Sequence, residues 1–337
     1  MGEHPALVVA ARFGLPVEPM LPINVQARDV DQVVAAASWD RLAGLLCVAV
    51  DEGLVSSVDS FREDVRQLWQ EQLLASVANE LHVVRVAEVI DAAGVEWRLT
   101  KGPAVSRLDY PAPGLRTFGD TDLVVHPSSW QSAVDAIEQA GWSRELPELR
   151  PGFDDRFGKG ATMRSVDGLE LDLHRRLAIG RFGLLLPTEA LFASRDLIVL
   201  AGRDIPTFDG AGRLVHACFH AALGGFRRLR AHRDVAQLLL VTDVEWERAV
   251  ELAESHHVSA VLARSVLDAW AVLCIDVDHP MRRWASRLSI TRPEARALNI
   301  FADMKSFRRQ AWTGVPVLIG RGVVPYLYAL TVKPGRK

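Results

Sequence analysis

The chain has 337 residues, enough for about two domains with buried cores. Hydrophobic residues make up 49 % and charged residues 24 %, a composition that excludes a disordered, collagen-like or coiled-coil protein. The formal net charge of −3 gives no global attraction to nucleic acid or anionic membranes, so any such partner would need a local patch.

The cysteines and the apolar segments point to a protein of the cytoplasm. Cys47, Cys218 and Cys274 are widely spaced and match no CxxC pattern, which argues against a disulfide framework or a zinc site. The first residues lack the basic head of a secretory signal. The apolar stretch near the C-terminus is interrupted by Arg321 and Pro325, so we expect no membrane anchor.

Hydrophobic periodicity predicts an α+β fold in three regions. Apolar residues recur at helical spacing within residues 1–93, which predicts an N-terminal helical region. Residues 94–208 mix strand and helix patterns and predict a core with a mixed sheet of four or five strands flanked by helices. Residues 209–337 return to helical spacing and predict a C-terminal helical domain.

The core region opens with a strand, a turn and a helix. Residues 95–99 predict the strand, and Lys101-Gly102-Pro103 predicts a turn into a helix with proline in its first turn. A second strand is predicted over 121–125, followed by a helix that Ser128 or Ser129 caps. Asp167-Gly168 is a two-residue hairpin signal between strands at 161–165 and 169–174.

The remaining segments carry fewer chemical signals. The stretch 143–155 is rich in charge, proline and glycine, so we expect an exposed mobile loop there. The C-terminal helices are predicted near these ranges: 211–223, 228–240, 244–256, 259–273 and 292–311.

Carboxylates gather on the predicted strands. Alternation along a strand places Asp120 and Asp122 on one face, and Glu170, Asp172 and His174 on one face of the hairpin strand. Two unit charges about 4 Å apart repel by about 4 kcal/mol at an effective dielectric of 20, so such a set calls for a cation. Mg²⁺ prefers oxygen ligands and fits carboxylates better than a His/Cys site would. The alternative is that each aspartate lies on a solvated strand face or turn.

These motifs resemble a family of bacterial nucleotidyltransferases within the DNA polymerase β-like superfamily. The resemblance rests on Lys101-Gly102, Tyr110 before a proline, Arg116, the Asp120-x-Asp122 strand, and Asp172 with His174. It extends over most of the chain, including the helical segment around 214–239.

The resemblance implies a site for two metal ions and a nucleoside triphosphate. By matching motif positions, Asp120, Asp122 and Asp172 become the metal ligands and the catalytic residues, with Asp172 placed to deprotonate the acceptor. Lys101 and Gly102 fall at the triphosphate. Many superfamily members have serine after the glycine of this turn, whereas this chain has Pro103. Lys101 would then supply a point charge to the phosphates.

Two further residues are assigned to nucleotide binding with their roles open. Arg116 could reach a phosphate, or it could pair with Asp120 and orient it. His174 could orient a metal ligand, touch a phosphate, or lie beside the site. Glu170 is expected to be solvated or to lie beside the site as a spare carboxylate.

The C-terminal region offers three weaker candidates. His216 and His220 have a spacing compatible with zinc, but no recognised zinc pattern supports it, so packed histidines are expected. The basic cluster at 227–233 is either a solvated helix face or a contact to an anion. Asp234 is expected to pair with an arginine.

The sequence thus predicts a cytoplasmic, Mg²⁺-dependent nucleotidyltransferase that moves a nucleoside monophosphate group to an unidentified acceptor and releases pyrophosphate. We rank a small molecule or a protein above tRNA as acceptor, and expect neither DNA nor membrane as a partner. A non-catalytic nucleotide-binding or scaffold protein is the alternative, and a kinase that uses the γ-phosphate is a second. Because Asp122 is expected at a polar surface, Asp122→Asn should stop turnover and leave folding largely intact.

Overall fold

A computed structural model describes residues 4–148, 150–223, 228–302, 307–319 and 323–330. Helices precede and follow a central sheet in the chain. None of the described helices is both long and apolar enough to span a bilayer.

Among the described helices, four precede the central sheet, the next four lie between its strands in the chain, and the others follow it. Their bounds are α1 (Pro5–Arg12), α2 (Val30–Asp40), α3 (Ala43–Asp51), α4 (Phe61–Ala92), α5 (Gly102–Leu108), α6 (Trp130–Gln139), α7 (Phe153–Arg156), α8 (Gly180–Leu185), α9 (Gly210–Leu223), α10 (Leu229–Leu240), α11 (Trp246–Ser255), α12 (Ser259–Val272), α13 (Pro280–Arg287), α14 (Arg292–Ala302), α15 (Phe307–Trp312), α16 (Val315–Leu318) and α17 (Val323–Leu330).

The strands form a small pair and a larger mixed sheet. Their bounds are β1 (Ile23–Asn24), β2 (Val55–Ser56), β3 (Trp97–Leu99), β4 (Asp122–Val125), β5 (Ser143–Arg144), β6 (Gly160–Arg164), β7 (Glu170–His174), β8 (Asp196–Leu200) and β9 (Arg203–Thr207). β1 and β2 pair in parallel, and the other seven lie in the order β5-β6-β7-β4-β3-β9-β8.

The middle of this sheet sets the register of the predicted site. β4 runs antiparallel to β3 and parallel to β7, and Asp122 stands directly opposite Asp172. The predicted hairpin is present, since β6 and β7 are antiparallel and Gly168 between them has a φ of +80°. Glycine tolerates this left-handed conformation, which a tight turn requires.

The two faces of the sheet belong to different hydrophobic clusters. Leu123, Leu171 and Leu173 face a cluster that includes residues of α4 and α6. Val124, which points the other way, joins a larger cluster containing residues of α1, α3, α9, α10 and α12. The face that carries Asp122 is therefore covered by helices instead of open to water.

The α+β fold class is confirmed, with differences of detail. The described sheet is wider than predicted, because β5, β8 and β9 were not expected. The 143–155 stretch, expected as an exposed mobile loop, contains β5 and α7, and Phe153 is buried against Tyr326. Apolar side chains within this charged segment therefore give it a packed part. The division at residues 93 and 208 stays a prediction, although helices from both ends contribute to one cluster.

Candidate functional site

Asp122, Asp172 and His174 come together at the centre of the sheet. Each offers one ligand atom, and these atoms lie within 4.8 Å of one another. The three residues, called the Asp-Asp-His cluster below, form the one group of this kind found among the described residues. Parallel pairing of β4 and β7 brings the two aspartates face to face, and the period of two adds His174 on the same side.

The Asp122 carboxylate is buried, with 1 % of the residue exposed. Its Oδ1 accepts hydrogen bonds from the ammonium of Lys101 and from Nε2 of His174, the latter at 2.7 Å. Its Oδ2 is buried and has no hydrogen-bond partner among the described residues. Asp172 is half-buried, and its Oδ1 accepts a hydrogen bond from the Thr162 hydroxyl at 2.7 Å.

Opposite charges control the protonation of this cluster. Burial opposes the charge of Asp122, but Lys101 and His174 outweigh it and hold the Asp122 pKa well below its usual range. Burial likewise opposes the charge of Lys101, yet Asp122, Asp120 and Asp172 raise the Lys101 pKa above its ordinary value. The pKa of His174 is lowered, first by burial and then by the charge of Lys159. At neutral pH Asp122 is therefore ionised and His174 neutral, and the Lys101 that donates to Asp122 is charged.

Asp120 lies outside the Asp-Asp-His cluster. It is exposed and precedes the first residue of β4, where the sequence predicted that it would share the strand with Asp122. Its charge nevertheless contributes to raising the pKa of Lys101, so it acts on the same site. The strand begins at Asp122, and the alternation that would align the two aspartates does not extend back to Asp120.

Lys101 has an unusual backbone conformation. Its φ of +55° and ψ of −125° fall in a region that favours glycine, directly before α5. Such a conformation in a residue with a side chain costs about 1–3 kcal/mol and is typical of functional sites. The backbone conformation of Lys101, whose ammonium donates to Asp122, is thus kept at the expense of local stability.

A cavity of about 430 Å³ opens beside the cluster. Asp172, His174 and Lys101 contribute to its polar part, and residues of α9, α14 and α15 form the opposite wall. Apolar side chains such as Phe219 and Phe301 line that wall. The volume and this mixture of charged and apolar lining are typical of a small-molecule site.

Two cations in this cavity were not singled out for the site by sequence reasoning. Lys159, at the start of β6, and Arg176, just after β7, both line it. The Lys159 pKa is lowered, chiefly by desolvation and then by the charge of Lys101, and burial with Arg175 lowers the Arg176 pKa to about 10. Neither forms an ion pair within the described ranges of the chain. For Lys159, one signal in the sequence could have drawn attention to it: lysine is scarce, and the chain has only five.

Gly102 has a packing role in the structure. A Cβ placed on it would lie 2.5 Å from Cβ and Cγ of Phe118. It is buried and is not among the residues that line the cavity. The glycine is required here for the close approach of Phe118 to α5.

Arg116 pairs with Asp234 instead of Asp120. Its Nε donates to Oδ1 and its Nη2 to Oδ2 of Asp234, both at 2.8 Å. The Tyr110 hydroxyl also donates to Asp234 at 2.9 Å, and all three residues are buried. Arg116 is absent from the cavity lining, so its assignment to nucleotide binding stays a prediction. The expected pairing of Asp234 with an arginine is observed.

His216 and His220 both line the cavity from α9. Burial, and then the charge of Lys101, lower the His216 pKa to about 3, and the same two causes lower the His220 pKa well below its usual range. Neither belongs to the Asp-Asp-His cluster. They are neutral packed histidines, as expected, and they additionally face the candidate site.

The basic cluster at 227–233 is not a solvated helix face. His232 and Arg233 are each 2 % exposed, and Arg233 donates to the Ala11 carbonyl and to Gln237. Arg228 stacks on Trp39 with 3.7 Å between its guanidinium carbon and the ring centroid. Arg227 lies outside the described residues. The arginines pack α10 against the N-terminal helices, a role that charge alone did not indicate.

Comparison with known families decides the family of the chain. The model of a family described as uncharacterised nucleotidyltransferases matches residues 26–271. The chain belongs to this family. The resemblance found in the sequence is thereby confirmed, and nucleotidyl transfer is the general activity that the family name carries.

The solved structures with detected similarity are distant. The solution structure of the antibiotic-resistance factor ANT(2'')-Ia is 14 % identical, with a TM-score of 0.36, and the match covers 58 % of this chain and 96 % of that chain. A crystal structure of an antigenic nucleotidyltransferase-like protein from Paracoccidioides brasiliensis is 13 % identical, with a TM-score of 0.31, covering 59 % and 93 %. No curated protein matches the chain.

Proposed function

We propose that this protein transfers a nucleoside monophosphate group from a nucleoside triphosphate to a hydroxyl or other nucleophile of an acceptor and releases pyrophosphate. The observation that carries the proposal is the Asp-Asp-His cluster at the edge of a cavity whose other charged lining residues are the cations Lys101, Lys159 and Arg176. The family supplies the reaction class, and we place the activity in the cytoplasm on the cysteine usage of the sequence.

The donor atoms of the cluster fit a divalent metal. Asp122 Oδ2 is a buried carboxylate oxygen without a partner, and an unpaired buried acceptor is costly unless a ligand satisfies it. Asp122 and Asp172 would hold Mg²⁺ through oxygen, which is the ligand type that Mg²⁺ prefers. Asp120, exposed beside them, would supply a carboxylate for a second ion. Bound metal would neutralise charge on the phosphates and stabilise the leaving pyrophosphate.

The protein's own cations would hold the triphosphate. Lys159 and Arg176 line the cavity without ion-pair partners in the described structure, and the Lys159 pKa is lowered, so an anion bound there relieves an unfavourable charge. Lys101, which donates to the Asp122 carboxylate and also lines the cavity, would contact the phosphates as well. The apolar wall around Phe219 would pack against the nucleoside.

Asp172 is our candidate for accepting the acceptor's proton. It is half-buried at the cavity, and Thr162 holds only one of its oxygens in the hydrogen bonds described. His174, which donates to Asp122, would fix the orientation of that carboxylate. Positioning and charge neutralisation together account for most of the catalysis expected of such a site.

A non-catalytic nucleotide-binding protein is the second candidate. It is favoured by one observation: Gly102 packs under Phe118, and Pro103 follows it where a phosphate-gripping serine is found in the resembled turn. In that case the cavity would bind triphosphate without turning it over.

One experiment separates these functions. The protein is incubated with each nucleoside triphosphate labelled at the α-phosphate, with and without Mg²⁺, in the presence of cell extract as acceptor source. We expect Mg²⁺-dependent pyrophosphate release and label transfer, both lost in Asp172→Asn. Glu170→Gln is the matched control, because Glu170 lies on the same strand but is exposed and pairs with Arg164. Release of nucleoside diphosphate would indicate a kinase, and binding without turnover would indicate the second candidate.

A further inference from the structure

A second groove lies next to the catalytic cavity and is lined by arginines. Its volume is about 580 Å³, and its charged lining comes from three helices: Arg181 of α8, Arg292 and Arg296 of α14, and Arg309 of α15. Among the described residues that line it, none is acidic. This is the local basic patch that the net charge of −3 conceals.

Most of these arginines lack a compensating charge. Arg181, Arg292 and Arg296 form no ion pair with any residue in the described ranges, whereas many other arginines of the chain do. Arg292 and Arg296 are exposed and lie one turn apart, so their side chains share a face of α14. Unpaired guanidinium groups that converge on a groove attract phosphate, which they can bind with two hydrogen bonds.

An aromatic ring and apolar side chains complete the groove. Trp312 of α15 is 53 % exposed, and Ile300 lies between the arginines on the groove wall. Cations combined with an exposed indole ring are the components that bind single-stranded nucleic acid, because phosphates pair with the cations and a base stacks on the ring. An acidic peptide would satisfy the arginines but would bring no planar group for Trp312.

The groove and the catalytic cavity share their walls. On α14, Ile300 lines the groove and Phe301 lines the cavity. On α15, Arg309 lines the groove and Gln310 lines the cavity. A strand bound in the groove would therefore lie one helix layer from the Asp-Asp-His cluster. The end of such a strand would then lie beside the cavity in which the proposed transfer takes place.

We infer that the arginine groove binds single-stranded RNA and presents it to the catalytic cavity as the acceptor. The inference rests on the proposed function for the acceptor role, but RNA binding itself does not. RNA is the occupant we argue for because DNA is held as duplex in cells, and a duplex hides the base faces that Trp312 would stack on. This reverses the ranking drawn from overall charge, which could not detect a patch made by three separate helices.

Fluorescence anisotropy tests the binding without turnover. The full-length protein is titrated with a labelled single-stranded RNA oligonucleotide in EDTA over a series of salt concentrations. The double variant Arg292→Gln/Arg296→Gln should weaken binding at least about tenfold and reduce the slope of log affinity against log salt by about 1.4, since each phosphate that a cation neutralises adds roughly 0.7 to that slope. Trp312→Leu should weaken binding by about 5- to 150-fold.

The control is Arg282→Gln/Arg287→Gln on α13, which removes the same charge from exposed positions outside the groove. An equal drop in affinity in this control, or no RNA binding by the wild type, would overturn the inference. Binding of duplex DNA as tight as that of the single strand, or competition by polyglutamate as effective as unlabelled RNA, would also overturn it. RNA binding without Mg²⁺-dependent turnover would refute the proposed function and leave the groove's ligand established. Mg²⁺-dependent turnover without RNA binding would support the proposed function and overturn the inference about the groove.

Discussion

Replacing Asp122 by asparagine tests the core of the site and should also destabilise the protein. The sequence placed Asp122 at a polar surface, for which such a change would cost little. In the structure its carboxylate is buried and paired with Lys101, whose side chain is 19 % exposed. Removing one partner of a buried ion pair costs about 3–5 kcal/mol, because the other charge is left uncompensated.

The size of the effect follows from the surroundings of the pair. Lys101 is exposed enough to meet water, and asparagine can still accept one hydrogen bond, so we expect a loss of about 2–3 kcal/mol. At about 2 °C per kcal/mol for a chain of this size, the Tm of Asp122→Asn should fall by about 4–6 °C. The double variant Lys101→Met/Asp122→Asn should recover part of this loss, because it removes both charges.

Thermal denaturation of the four proteins measures this as a double-mutant cycle. A coupling of more than about 1 kcal/mol between the two positions is expected. Turnover should be lost in Asp122→Asn whatever the size of the coupling. If the Tm of Asp122→Asn lies within about 1 °C of wild type, the Asp122–Lys101 pair does not stabilise the fold and the reasoning fails.

Three further substitutions test residues around the Asp-Asp-His cluster. Lys101→Met should weaken Mg²⁺-dependent triphosphate binding by about 10- to 100-fold in calorimetry, because a hydrogen bond to a charged group is worth that much. Lys159→Met should weaken binding equally but should not lower the Tm. Wild-type affinity in both variants would show that these lysines do not bind the phosphates. Gly102→Ala should lower the Tm by the equivalent of about 1–3 kcal/mol, because its Cβ meets Phe118, while a properly folded fraction keeps wild-type triphosphate affinity. A lower affinity at unchanged Tm would instead place Gly102 at the phosphates.

The part of the site that the sequence predicted is the part fixed by local pattern. Alternation in Asp122–Val125 and Glu170–His174 sets which side chains share a face, and Asp167-Gly168 fixes the hairpin that precedes the second strand. These signals need only a few neighbouring residues. They were therefore sufficient to predict which side chains share a face of each strand, while the resemblance supplied the expectation that Asp122 and Asp172 meet.

Features that depend on distant contacts were not predictable in the same way. Asp172 meets Asp122 because β7 pairs with β4, which lies far away in the sequence, and Arg116 pairs with Asp234, which is also distant in the chain. The β8–β9 hairpin was not predicted, and Pro206 lies within β9 although proline cannot donate to the ladder. The proline is tolerated because its neighbours in β9, Ile205 and Thr207, pair with β8, and Thr207 also pairs with β3.

His82 is a buried histidine that belongs neither to the Asp-Asp-His cluster nor to the described lining of the cavity. Its ring stacks on Trp142 with 5.0 Å between centroids, and its Nδ1 lies 3.1 Å from the Thr121 hydroxyl. Because that hydroxyl donates to Asn79, Nδ1 must carry the hydrogen and donate to the Thr121 oxygen. The other ring nitrogen, Nε2, is then the site of protonation, and it is buried without a partner.

We therefore expect acid to destabilise the protein through His82. Burial, and then the charge of Arg85, lower the folded-state pKa from 6.5 to about 4, so the stabilisation is complete above pH 6.5 and is lost as the pH falls towards 4. At about pH 5 the unfolded state has gained a proton that the folded state has not, a cost of about 2 kcal/mol. His82→Phe keeps a ring against Trp142 and removes the titration, so its Tm should fall by about 4 °C less than that of the wild type between pH 7 and pH 5. Other groups titrate in both proteins and cancel in the difference. Parallel Tm profiles for the two proteins would show that His82 protonates in the folded state as readily as in the unfolded chain.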